Sequence, residues 1–193
     1  MHHIAIFASG SGSNAENIIR HFESANKSKA ASEAVEISMI LCNHPGAYVI
    51  QRAANLGVPC RLFTREDLDS GRVTGWLEQA GIDFIVLAGF LWKIPDDMIA
   101  RWPEAIVNIH PALLPKHGGK GMFGSHVHEA VVADGDKESG ITIHYVNGCY
   151  DSGDIIFQAK CPVLPQDSPE DVAKKVHALE YEHFPKVIES LLK

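Results

Sequence analysis

From Ile4 to His110 the chain alternates short continuous apolar runs with stretches whose apolar residues recur at helical spacing. Ile4–Ala8, Val35–Leu41, Pro59–Phe63, Asp83–Gly89 and the run from Ile106 to His110 read as strands. The uninterrupted Phe-Ile-Val-Leu-Ala of the fourth is the mark of a strand covered on both faces. Between the strands, Asn17, Ile18, Ile19 and Phe22 give a helix to about Ser24, and Gly46 to Leu56 gives a second that stops at Gly57. Thr64, with Asp67 three residues later, starts a third helix carrying Leu68, Val73, Trp76 and Leu77, with Gly71 and Gly75 as its weak points. Such alternation predicts an α/β fold with a doubly wound, mostly parallel central sheet, Rossmann-like in its N-terminal half, with helices on both faces.

After Pro115 the pattern changes. His117–Gly124 is glycine-rich and expected to be mobile, and a helix is predicted over about Ser125–Ala133. Gly140–Val146 alternates, placing Thr142, His144 and Val146 on one face. Asn147-Gly148 turns the chain, and Ile155–Ala159 returns, which predicts a hairpin or bulged connection with Asp151 in its loop. Ser168-Pro169-Glu170-Asp171 is a helix start, with Val172, Val176, Leu179 and Val187 as the expected inner stripe and Pro185 as its kink or end. With no repeat, linker or low-complexity tract, one domain is expected, its halves meeting near residues 105–106.

Composition narrows the function classes. At 193 residues, 46% hydrophobic and 21% charged, the chain suits one soluble globular domain. A net charge of −7 argues against a nucleic-acid or anionic-membrane surface. No signal-peptide pattern and no apolar run of spanning length is present. Cys42, Cys60, Cys149 and Cys161 are scattered without a Cys-x-x-Cys pair, so reduced thiols and a cytoplasmic location are expected.

Two segments carry candidate chemistry. Asn108 and His110, two apart on a strand that ends at Pro111, face the same way and suit a carbonyl that develops negative charge. Ser9-Gly10-Ser11-Gly12-Ser13-Asn14, between the first strand and first helix, suits a phosphate: glycines allow close approach, and the helix start offers free N–H groups. Gly10, Gly12 and Ala15 also fit the loose dinucleotide pattern, which requires an acid at the end of the second strand. That strand ends in Cys42-Asn43-His44-Pro45, and Glu33 and Glu36 lie at its other end, so a small phosphorylated substrate is favoured. In a parallel sheet the glycine loop, the apolar Phe90–Ile94 loop and Asn108/His110 all belong to the carboxyl edge, where ligands bind.

With Gly-Ser-Gly-Ser-Asn, Leu-Ala-Gly-Phe-Leu, Asn-Ile-His-Pro-Ala-Leu-Leu-Pro and Tyr-Asp-Ser-Gly-Asp in order along nearly the whole chain, the sequence resembles the folate-dependent formyltransferases. The Gly-Ser-Asn loop resembles their glycinamide ribonucleotide branch, the phosphoribosylglycinamide formyltransferases of de novo purine synthesis. The resemblance implies transfer of a formyl group from 10-formyltetrahydrofolate to glycinamide ribonucleotide, with no metal, by a monomer or homodimer. It implies Asn108, His110 and Asp151 as catalytic residues, and a phosphate loop on Gly12, Ser13, Asn14, Ala15 and Glu16. It further implies Glu180 at the substrate amine, and folate contacts from Leu91, Trp92, Lys93, Ile94, Asn108 and Arg65. Two departures stand out: Leu-Trp-Lys-Ile occupies the place of the common Met-Arg-Ile-Leu, and the stretch between Pro115 and His126 is longer than in many relatives.

The mechanism expected from this is direct amine attack on the formyl carbon. Asn108 and a protonated His110 would donate to the oxyanion, and Asp151 would favour the imidazolium and help relay the proton. Rival readings are a deformylase, whose relatives carry an extra N-terminal domain, a sugar-nucleotide formyltransferase, and a non-catalytic phosphate-binding module. A tRNA formyltransferase would need a basic RNA-binding domain. A metal site is disfavoured because His126 and His128 diverge by about 200° on a helix.

Overall fold

Five consecutive residues of the first strand, Ile4 to Ala8, are fully buried, and the sheet grows outward from them. The computed structural model describes residues 1–192. Its strands, β1 (His2–Ala8), β2 (Val35–Cys42), β3 (Cys60–Leu62), β4 (Phe84–Leu87), β5 (Ile106–His110), β6 (Glu138–Tyr145) and β7 (Ile155–Pro162), run in the order β3-β2-β1-β4-β5-β6-β7 in a seven-stranded sheet flanked by helices. Pairing is parallel where β1 meets β2 and β4 and where β2 meets β3, and antiparallel between β6 and β7. This is the α/β class that the alternation predicts.

The chain divides into two compact units, Met1–Val107 and Asn108–Leu191. The first holds β1 (His2–Ala8), α1 (Ser13–Ala25), β2 (Val35–Cys42), α2 (Val49–Asn55), β3 (Cys60–Leu62), α3 (Arg65–Asp69), α4 (Arg72–Gln79), β4 (Phe84–Leu87), α5 (Asp96–Arg101) and the start of β5 (Ile106–His110). The Asn26 side chain pins the head of β2 by donating to the Val35 carbonyl at 2.8 Å and accepting from its N–H at 3.0 Å. Thr64 and Asp67 form the expected capping box. Gly71, in the left-handed region at φ 77°, divides the expected single helix into α3 and α4, whereas Gly75 stays inside α4.

The second unit holds the end of β5, α6 (Ser125–Ala133), β6 (Glu138–Tyr145), β7 (Ile155–Pro162) and α7 (Pro169–Leu191). β6 and β7 form the expected hairpin, with a register shift between Ile143 and His144. α7 starts as expected, Ser168 and Asp171 capping each other at 3.1 and 3.2 Å. Its inner face needs correcting. The buried residues are Val172, Val176, Glu180, Phe184, Pro185 and Ile188, while Leu179 and Val187 are half-buried on the flank. A stripe at i, i+4 contains the acidic Glu180, which an apolar count passes over. Pro185 lies within α7 and does not end it.

Phe184→Ala should therefore lower the free energy of unfolding by about 3–5 kcal/mol, the range for emptying a buried aromatic site. Leu179→Ala should cost clearly less. Urea titration of both variants checks the assignment, and equal losses would put Leu179 back inside.

Candidate active site

Asn108 and His110 end the apolar strand β5, where Pro111 removes the next ladder donor. The segment after it is held by Thr142, whose fully buried hydroxyl donates to the Ala112 carbonyl at 2.7 Å and accepts from the Leu114 N–H at 3.0 Å. Gln158 on β7 donates to the same hydroxyl at 2.8 Å and to the Leu114 carbonyl at 3.1 Å. Two strands thus fix the chain that follows His110.

Asp151 arrives from the β6–β7 connection in the left-handed region, at φ 50°. Its Oδ2 lies 3.6 Å from His110 Nδ1 and accepts from the Gly119 N–H at 2.9 Å; its Oδ1 lies 3.8 Å from His144 Nε2. His144 Nε2 is 3.1 Å from the Asn108 amide nitrogen. Asn108, His110 and Asp151 are therefore brought together in the second unit, with His144 as a fourth member. His110 Nε2 donates to the His117 carbonyl at 2.7 Å, and His117 Nε2 sits 2.7 Å from Asp136 Oδ2, whose other oxygen pairs with Lys116. The glycine-rich stretch expected to be mobile is tied to the structure through Lys116, His117 and Gly119.

Burial pushes His110 below the ordinary histidine range; the Asp151 charge and the His117 carbonyl work the other way without overcoming it, and nearby His144 and His117 add to the lowering. In the ligand-free protein this biases the ring towards its neutral form, whereas the expected mechanism has it protonated. For Asp151, burial raises the carboxyl pKa, but His144, the His110 ring and the Gly119 N–H together hold it low. A carboxylate beside a neutral imidazole is an arrangement that accepts a proton and stabilises it once taken.

Glu180 is buried on α7, where His177 Nδ1 lies 2.8 Å from its Oε2 and is raised above the usual range mainly by that bond. Buried His128 faces His177 with ring centroids 6.3 Å apart and is lowered mainly by burial, then by the His177 charge.

The remaining predicted residues lie in the first unit, in two groups. Gly12 occupies the left-handed region at φ 74° and starts α1 with no side-chain cap. A Cβ there would meet the Val49 side chain and lie 2.8 Å from its Cα, so only glycine fits. Ser13, Asn14, Ala15 and Glu16 form the first turn of α1. The Glu16 carboxylate is held low by Arg20 and by Arg52, which also donates from Nε to the Ser11 carbonyl at 2.9 Å. Sequence reasoning missed Arg52, because its link to the loop spans 41 residues and leaves no local pattern.

In the second group, the exposed Leu91 donates its N–H to Ser9 Oγ at 3.1 Å, and Ile94 is buried. Trp92 packs edge-on to Phe63 and Phe90 with centroids 5.9 and 6.3 Å away, and the Arg65 guanidinium lies 5.3 Å from its ring. Lys93 pairs with Asp96 at 3.5 Å.

An α/β chain with a half-buried amide and carboxylate grouped with two buried imidazoles in its second unit has the equipment for acyl transfer to a nucleophile. The formyl transferase family model matches residues 2–188, and the chain belongs to that family. It is 35% identical to the chloroplastic phosphoribosylglycinamide formyltransferase of Arabidopsis thaliana over 96% of its own length and 63% of that protein's. To the phosphoribosylglycinamide formyltransferase of Haemophilus influenzae it is 32% identical, covering 97% of this chain and 86% of that one. The crystal structure of glycinamide ribonucleotide transformylase 1 from Geobacillus kaustophilus matches with a TM-score of 0.86 and 32% identity over 100% of both chains. The chain thus spans less than two thirds of the length of the Arabidopsis relative and nearly all of the bacterial ones.

Asp151 is the larger of the two influences that oppose the burial of His110, so Asp151→Asn should move the His110 titration midpoint to still lower pH. A histidine NMR titration of both proteins checks this; an unchanged midpoint would show that the two residues do not interact, and an upward shift would reverse the sign argued here.

Proposed function

We propose that this chain transfers the formyl group of 10-formyltetrahydrofolate to the amine of glycinamide ribonucleotide, N1-(5-phospho-D-ribosyl)glycinamide, in de novo purine synthesis. The observation that carries the reading is the grouping of half-buried Asn108 and Asp151 around buried His110 in a chain of the formyl transferase family. Phosphoribosylglycinamide formyltransferases and a glycinamide ribonucleotide transformylase more than 30% identical to this chain support the substrate.

The substrate amine attacks the formyl carbon, forming the N–C bond and leaving negative charge on oxygen. Asn108 donates an amide N–H to that oxyanion. Neutral His110 takes the proton released by the attacking nitrogen at Nδ1, the nitrogen 3.6 Å from Asp151, and the carboxylate stabilises the imidazolium. Collapse breaks the bond to the folate nitrogen, which recovers the proton through His110. No acyl-enzyme is needed, since the amine is itself the nucleophile.

In the first unit, the uncapped start of α1 at Gly12, Ser13, Asn14 and Ala15 takes the ribonucleotide phosphate on backbone N–H groups. Glu16 contributes backbone only, its carboxylate being neutralised by Arg20 and Arg52 so that it does not repel the phosphate. Leu91, Trp92, Lys93, Ile94 and Arg65 are assigned to the folate, and Glu180 to the substrate amine. The four cysteines are free, which fits a reducing cytoplasmic setting.

A formyl-transfer assay with and without the ribonucleotide tests the reading. Turnover is expected only with it, with His110→Ala inactive and Asn108→Ala slowed roughly 10²–10³-fold. Asp151→Asn should lower kcat far more than it raises KM. Folate breakdown without the ribonucleotide would point to a deformylase, and no turnover at all to a binding module.

A further inference from the structure

His144 has no part in the transfer just described, yet its surroundings fix its chemical form. It is 2% exposed. Nδ1 lies 2.8 Å from the Tyr145 carbonyl oxygen, which can only accept, so Nδ1 carries the hydrogen. The shifted register between Ile143 and His144, and a glycine at 153 whose Cβ would overlap the Tyr145 carbonyl and lie 3.5 Å from Nδ1, leave room for the ring to take this pose. In the neutral imidazole Nε2 then has only a lone pair to offer. The nearest group, at 3.1 Å, is the Asn108 amide nitrogen, which can only donate, whereas Asp151 Oδ1 at 3.8 Å lies beyond hydrogen-bond reach of Nε2.

A primary amide with no such partner can turn over and exchange its oxygen for its nitrogen. Turned over, Asn108 would present Oδ1, an acceptor, where negative charge develops. We propose that His144 is a positioning residue: through the tautomer set by the Tyr145 carbonyl, it locks the Asn108 carboxamide nitrogen-inward and leaves the second N–H free for the formyl oxygen. The orientation stands on the geometry alone; its use on a formyl oxygen rests on the function proposed above. Preorganised donors stabilise an oxyanion because they need not reorient as the charge appears.

The test has two arms. Two-bond proton–nitrogen NMR on substrate-free protein labelled at histidine, with His144→Gln giving the assignment, should show His144 protonated at Nδ1 and bare at Nε2. The opposite tautomer would overturn the proposal whatever reaction the chain catalyses. In the transfer assay, His144→Ala should lower kcat about 10- to 100-fold, short of the loss of the donor itself, with both KM values nearly unchanged. His144→Gln, whose side-chain oxygen can replace Nε2, should recover part of that loss. In an Asn108→Ala background, His144→Ala should cost little more. Full, additive losses from both substitutions would mean that His144 does not act through Asn108. If wild type transfers no formyl group, the functional reading fails while the NMR arm still decides the orientation.

Discussion

An imidazole and a carboxylate kept out of water side by side compete over one proton, and the second unit is arranged around that competition. Burial denies His110 its charge while Asp151, 3.6 Å away, invites it. The outcome is a ring biased towards its neutral form with a stabiliser already in place. That balance requires low mobility in the chain on either side of His110. β5 supplies it before the histidine, and the Thr142–Gln158 clamp on Ala112 and Leu114 supplies it after.

The phosphate site proposed for the first unit poses a different electrostatic problem. A helix start that attracts an anion gains from bare N–H groups and is harmed by a nearby carboxylate. Glu16 stands in that first turn, and two arginines absorb its charge. Arg52 also holds the Ser11 carbonyl, so one guanidinium both neutralises the acid and sets the loop. Gly12 is confined by Val49, which couples the loop to α2 by contact as well as by charge.

Much of this could be read from the sequence where the determinants are local. The capping pairs Thr64/Asp67 and Ser168/Asp171, the strand face shared by Asn108 and His110, and the hairpin around Asp151 all follow from spacing of a few residues. What could not be read depended on burial and on partners far along the chain. His110's charge state reflects desolvation, which no local pattern reports. The inner stripe of α7 was misplaced because Glu180 breaks the apolar rhythm while His177 satisfies its charge inside the protein. His144 was visible on its strand face, but its role depends on Asn108, 36 residues away.

The left-handed backbone at Asp151 places two demands on one position. The conformation disfavours most side chains with a Cβ and is best tolerated, after glycine, by aspartate and asparagine. The contacts with His110 and Gly119 demand a carboxylate of short reach. Glutamate would keep the charge but lose the conformational tolerance, asparagine would keep the backbone but lose the charge, and glycine would keep only the bend. Of the genetically encoded residues, aspartate alone meets both demands, so a drifting lineage has no neutral single step away from it. Asparagine is the one exchange that removes the charge while sparing both the backbone and the reach of the side chain.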